Sequence, residues 1–157
     1  MFTASDYVLR PLTPNDEGIL WEMLYLALTP AESAPPPREI MREPQYARYV
    51  EGWGAEGDQG FLAAEKSGIL LGAVWLRSSL GSGQADSPVE LPFVVRPGHR
   101  QRGIGASLLT QMIRANPTLA AVSLRVRAGS PAVRLFGRFG FDIAREDEGA
   151  VIMSRNL

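Results

Sequence analysis

Residues 95–109 read VRPGHRQRGIGASLL and set Arg96, Arg100 and Arg102 among Gly98, Gly103 and Gly105, between two apolar runs. A helix that starts at such a place offers amides with no intrahelical partner, and its dipole adds partial positive charge. Arg100 and Arg102 can add charge-assisted bonds. Glycine at 103 and 105 lets a bulky anion come close to the backbone. Pyrophosphate is the natural ligand for that combination. It is not the dinucleotide fingerprint, because Leu108 stands where the third glycine belongs, and it is not a P-loop, because no lysine is in place. The bland alternative is a glycine-rich helix start with solvated arginines.

A second group with chemical potential is Glu90, in VELPFVV (residues 89–95). A carboxylate in an otherwise apolar strand, just upstream of the arginine–glycine stretch, can serve as a general base, and withdrawal from water makes a carboxylate a better proton acceptor. It can equally face solvent at the strand's start or pair with an arginine such as Arg125. The chain has a single histidine, His99, and no cysteine. His99 sits in the arginine-rich loop with no serine and aspartate to complete a triad, zinc lacks ligands, and a cysteinyl acyl intermediate is excluded. A solvated loop residue is the simpler reading of His99.

These groups need elements to hold them. YVLRPL (7–12) reads as a short strand. Thr13, Pro14 and Asp16 then read as a helix N-terminus, with Asp16 as the capping-box acid, and the helix runs to about Leu28. After the prolines at 35–37 a second helix is expected over Arg38–Trp53, interrupted near Pro44. GFLAAEK and ILLGAVWLRSS form two strands joined by a turn at Ser67-Gly68. VELPFVV is a central strand in which Pro92 demands a bulge or a loss of pairing. A helix follows from about Gly103 to Ala115, buried along Ile104, Leu108, Leu109, Met112 and Ile113. LAAVSLRVRA is a strand, and SPAVRLFGRFG a short helix with Ser130 as N-cap, Pro131 at the first position and Gly140 at the C-terminal cap. FDIA and AVIMSRN close the chain as strands. The order is β-α-α-β-β-β-α-β-α-β-β: α/β, a mixed sheet flanked by helices, in one domain over 1–157.

The 157 residues, 45% hydrophobic and 21% charged, suit one soluble domain with a real core. A net charge of −1 gives no general attraction to nucleic acid. The N-terminus has neither a basic leader with an apolar run nor a membrane span. A cytoplasmic protein without nucleic-acid or membrane partners is expected, and a homodimer is left open.

R-x-x-G-x-G, here Arg100-Gln101-Arg102-Gly103-Ile104-Gly105, preceded by V-x-P and followed by a helix, resembles motif A of the GNAT superfamily of N-acetyltransferases. The resemblance spans the whole chain, because the element order is also the family's. A second signature, N-x-x-A-x-x-L-Y-x-x-x-G-F, is matched at Ala132, Leu135, Gly140 and Phe141. Gly129 replaces its asparagine and Phe136 its tyrosine.

The resemblance implies acetyl-CoA as acyl donor. Phe93, Val94 and Val95 are expected to pair with its pantetheine arm, and Arg100, Gln101, Arg102, Gly103, Ile104, Gly105, Ala106 and Ser107 to wrap its pyrophosphate. Glu90 takes the place of the family's acidic base. Phe136 lies beside the thioester but has no hydroxyl to protonate the departing thiolate. Ser130 is a substitute acid in principle, although capping is its simpler job. Trp21, Tyr25, Tyr46, Tyr49 and Trp53 fall in the region that often covers the acceptor pocket, beside Glu22 or Glu51. The implied activity is acetyl transfer to a primary amine, direct and within a ternary complex. The alternative from another class is a catalytically silent acyl-CoA-binding or sensing module.

Overall fold

The computed structural model describes residues 7–29, 34–98 and 103–157. In chain order its elements are β1 (Tyr7–Pro11), α1 (Glu17–Leu28), α2 (Pro44–Ala47), β2 (Gln59–Glu65), β3 (Leu70–Leu76), β4 (Val89–Glu90), β5 (Phe93–Val95), α3 (Ile104–Ala115), β6 (Ala121–Arg127), α4 (Pro131–Arg138), β7 (Asp142–Asp147) and β8 (Ala150–Asn156). Two four-stranded sheets form, in the orders β1-β2-β3-β5 and β4-β6-β8-β7. The first is antiparallel throughout, and the second is antiparallel except for the parallel pair β4–β6.

The sheets meet where Pro92 interrupts the apolar run. The Leu91 amide donates to the Ser123 carbonyl of β6 (2.9 Å), whereas the Pro92 carbonyl accepts from the Trp75 amide of β3 (3.1 Å). Proline has no N–H with which to extend the first ladder. The chain therefore steps from one sheet to the other between two successive residues. The single strand expected over 89–95 is in fact two strands in different sheets, and the mixed sheet is split at that point.

β3 is buried on both faces. Its Gly72 faces α3: a Cβ there would lie 3.4 Å from Leu108 Cδ1 and 2.6 Å from the Val94 carbonyl oxygen. The side chains of Ile104, Leu108, Leu109 and Met112 are fully buried beneath α3. At about 2 kcal/mol for each such side chain, this stripe contributes roughly 8 kcal/mol and fixes where the helix begins. On the opposite face Trp75 is buried and its indole N–H donates to the Tyr49 carbonyl (2.8 Å).

The capping expected at α1 is present: Asp16 Oδ2 accepts from the Thr13 amide (2.7 Å). The second helix expected over Arg38–Trp53 is not. A 3₁₀ turn covers Arg38–Arg42, one α-turn covers Pro44–Ala47, and tight turns carry the chain to Gly52. Pro44 forces Glu43 into an extended conformation (ψ 137°), which ends the first segment. Those turns bring Arg48 and Tyr49 against the second sheet.

Candidate active site

Glu90 stands at the fork. It is the last residue of β4, in register with Ser123 of β6, immediately before the chain leaves for the other sheet. Its side chain is 19% exposed. Oε2 accepts a hydrogen bond from the Tyr49 hydroxyl at 2.6 Å, and Oε1 lies 3.5 Å from Arg48 Nη2. The same Arg48 nitrogen donates to the Tyr49 oxygen (2.7 Å), and its guanidinium carbon stands 4.4 Å from the centre of the Tyr49 ring. Burial, together with the hydrogen bond to Glu90, pushes the Tyr49 phenol up to about 12, against the opposing pull of Arg48 and Arg125. Tyr49 is therefore a neutral donor at any physiological pH.

Of the two alternatives for Glu90, pairing with an arginine is met, though not by the arginine given as the example. The carboxylate does not lie open to solvent, and the arginine in contact is Arg48. Arg125 donates to Asp147 (3.0 Å), although its charge still acts on both Glu90 and Tyr49. Arg48 was not foreseen and Tyr49 was foreseen only as one of five aromatics, because 41 positions separate Tyr49 from Glu90 and no local pattern joins them.

On the other side of the fork, β5 ends the first sheet. The bonds Trp75 N–H to Pro92 C=O and Arg96 N–H to Leu71 C=O set the alternation along the β3–β5 ladder. In an antiparallel pair that alternation turns the Val94 N–H and C=O onto Ala73 and those of Phe93 and Val95 to the far edge. Val94 thus cannot share the edge role expected for all three residues, since its backbone is committed to β3. A pantetheine amide added to this edge would meet Phe93 and Val95.

At α3 the Ser107 amide makes the first intrahelical bond, to the Gly103 carbonyl (3.0 Å). The amides of Ile104, Gly105 and Ala106 precede it and have no intrahelical acceptor. Ser107 is thus outside the donor set, and its hydroxyl is 2.9 Å from that of Tyr7. Ile104 offers its amide alone, because its side chain is in the core. Gly103, the residue before the helix, has φ 77°, which favours glycine, and among the described residues nothing lies within 4 Å of where its Cβ would be. At Gly105 a Cβ would meet Phe93 Cζ at 3.0 Å and Val95 Cγ2 at 3.6 Å, so the missing side chain makes room for the Phe93 ring. Arg100, Gln101 and Arg102, like His99, lie outside the described residues. Arg96 is tied to β3 through its Nε, which donates to the Leu70 carbonyl (2.7 Å).

Phe136, on α4, is buried with its ring centre 5.3 Å from that of Phe93 and 5.9 Å from that of Phe141, both edge-on. It therefore packs on β5, the strand whose Phe93 backbone is turned away from β3. Ser130 caps α4, accepting from the Ala132 amide (3.1 Å). Two surface depressions, of about 250 Å³ beside Trp21 and Met41 and about 380 Å³ beside Ala106, Ser107 and Arg114, do not include Glu90. Strand divergence and charge mark the site, not cavity volume.

Orphan helix amides beside an open glycine, and a strand edge with amides turned outward, fit the two parts of an acyl-CoA: an anionic pyrophosphate and an amide-bearing arm. The comparisons with known proteins agree. The model of the acetyltransferase (GNAT) family matches residues 21–141. A search of curated proteins finds no match. Among solved structures, an acetyltransferase of the GNAT family from Staphylococcus aureus Mu50 superposes with a TM-score of 0.69 at 18% identity, covering 96% of this chain and 99% of that one. The PaiA N-acetyltransferase of Thermoplasma acidophilum, solved in complex with coenzyme A, gives 0.67 at 18% identity over 96% and 99%. The ribosomal-protein-S18-alanine N-acetyltransferase of Escherichia coli gives 0.65 at 18% over 96% and 93%. At such identities the likeness is one of fold.

Proposed function

The chain belongs to the GNAT family of acetyltransferases, and on that premise we propose that it is one acetyltransferase domain over 1–157 that moves an acetyl group from acetyl-CoA to a primary amine, directly and in a ternary complex. The observation that carries this reading is the fork at Leu91–Pro92. It sets Glu90 on one side, and the outward amides of β5 and the first amides of α3 on the other.

Bound acetyl-CoA supplies a thioester whose acyl carbon gains a bond to the amine nitrogen as the C–S bond breaks, the electron pair leaving on sulfur. The chain's part is to bind, orient and move protons. Ile104, Gly105 and Ala106 would hold the pyrophosphate with their amides, beside Gly103. Phe93 and Val95 would hold the arm along the strand edge, and an amide on that edge can polarise the acyl oxygen. The Phe136 ring, packed on Phe93, borders the same edge. An amine of pKa near 10.4 costs roughly 4–5 kcal/mol to deprotonate at pH 7. Glu90 would take that proton, directly or through water. The thiolate accepts a proton from solvent: thiols have a pKa of about 8–9, so no phenolic acid is required at position 136.

The test is release of free thiol from acetyl-CoA by the purified chain offered a panel of amines. Amine-dependent release alongside acetyl-CoA binding by calorimetry is the expected result. Binding without release on any amine would contradict the reading.

A further inference from the structure

Glu90 is not free to meet an incoming ammonium. Arg48 stands 3.5 Å from one of its oxygens, too long for a hydrogen bond yet close enough to neutralise it. Arg48 is itself held from behind, because its carbonyl accepts from Arg77 Nη1 (3.1 Å) while Arg77 Nε lies 3.8 Å from the buried Asp58 carboxylate. Its guanidinium nevertheless remains open, with 45% of the side chain exposed. Arg125 acts on the same carboxylate through its charge, from β6. It lies two residues beyond Ser123, on the same face of the strand, and 37% of its side chain is exposed.

Consider what happens when an amine arrives at Glu90. The ammonium displaces Arg48 as the partner of the carboxylate. Arg48 then has no anion, and Arg125, paired with Asp147, adds its charge to the same corner, since both act on Tyr49. An acceptor that is purely cationic adds a third positive charge to this corner. One that brings its own anion exchanges one ion pair for two. Like charges brought together beside a half-buried carboxylate are disfavoured, and an anion on the acceptor removes that repulsion.

We infer that the acceptor is a small amine carrying its own anionic group a few bonds away, an amino acid or close analogue, whose anion is bound by Arg48 and Arg125 while its amine faces Glu90. This rests on the acetyltransferase reading above. It makes Arg48 and Arg125 the residues that decide which amine is acetylated. A guanidinium suits the task because its planar donors match a carboxylate in pairs.

The experiment uses the full chain with acetyl-CoA and follows thiol release. Amino acids are offered beside their own carboxamides, with 2-aminoethylphosphonate and spermidine alongside. The carboxamide's amine is the less basic of each pair, so chemistry alone favours the amide, and a preference for the acid reports recognition. Expected is a kcat/KM at least about tenfold higher for the acid than for its amide, with spermidine poorest of all. Carboxylate and phosphonate arms tell which anion fits better. Arg48→Gln should bring the acid-to-amide ratio close to one, and Arg48→Lys should keep most of it. Should Arg48→Gln fail to fold, Arg125→Gln carries the same comparison. A ratio at or below one in the unmodified chain, or a ratio unchanged in Arg48→Gln, overturns the inference and leaves the acetyltransferase reading standing. No thiol release with any amine overturns both.

Discussion

The Tyr49 hydroxyl donates to Glu90 Oε2 across 2.6 Å, joining a turn after α2 to the last residue of β4. The bond fixes one oxygen of the carboxylate and leaves the other toward Arg48 and the fork. It also ties the phenol's ionisation to folding. The phenol's value is raised from about 10 to about 12, so the folded chain keeps this proton where the unfolded chain loses it. The contribution is fully present below pH 10 and is lost as pH rises toward 12. Chemical denaturation across pH 9–12 should show about 2 kcal/mol of alkaline loss in the wild type that Tyr49→Phe lacks. Parallel curves for the two proteins would show that the phenol is not buried against a carboxylate.

The acid limb has a different origin. Asp16 accepts from Arg10 through both oxygens (2.9 and 3.0 Å) and from the Thr13 amide, and the Arg10 guanidinium chiefly holds its carboxyl down at about 2. A depressed value stabilises the fold above the unfolded value near 3.8 and is lost as pH falls through about 2. Asp16→Asn should cost about 2 kcal/mol at pH 6, and the gap should narrow steadily below pH 4. A constant gap from pH 6 to pH 2 would assign the loss to packing.

Gly105 and Phe93 are expected to be energetically coupled. Valine at 105 places its Cβ 3.0 Å from Phe93 Cζ. Overpacking of about 1–3 kcal/mol outweighs the few tenths that valine gains over glycine in a helix. Gly105→Val should therefore destabilise the fold, and Phe93→Ala should relieve it, with a coupling energy of at least about 1 kcal/mol in a double-mutant cycle. Additive effects would mean that the two residues do not share this space.

Local patterns read the strands and the longer helices well. The apolar runs GFLAAEK and ILLGAVWLRSS and the stripe Ile104, Leu108, Leu109, Met112 are local signals, and each became the element it implied. Pro92 announced an interruption by its missing N–H, but a sequence cannot say that the two halves of a strand join different sheets. That depends on Ser123 and Trp75, remote in the chain. The second helix failed for a local reason that Pro44 already carried, since its neighbour Glu43 was driven out of helical conformation. The start of α3 after Gly103 was legible because its signal is contiguous. The company kept by Glu90 was not, because Arg48 and Tyr49 come from the turn after α2 and Arg125 from β6, all remote from it in the chain. Gly105 shows a further limit: glycine beside arginine suggested room for a ligand, while a side chain there would meet Phe93, twelve positions earlier in the chain and outside any spacing rule.

The role of Glu90 is tested most directly by the pH dependence of kcat/KM for thiol release in the wild type and in Glu90→Gln. Glutamine keeps the shape and can still accept from Tyr49, but it cannot take a proton from an ammonium. The expected result is a loss of roughly 10²–10⁴-fold near pH 7 that shrinks steadily as pH rises and the free amine becomes abundant. A Glu90→Gln enzyme whose profile overlies that of the wild type would contradict the assignment of Glu90 as the proton acceptor.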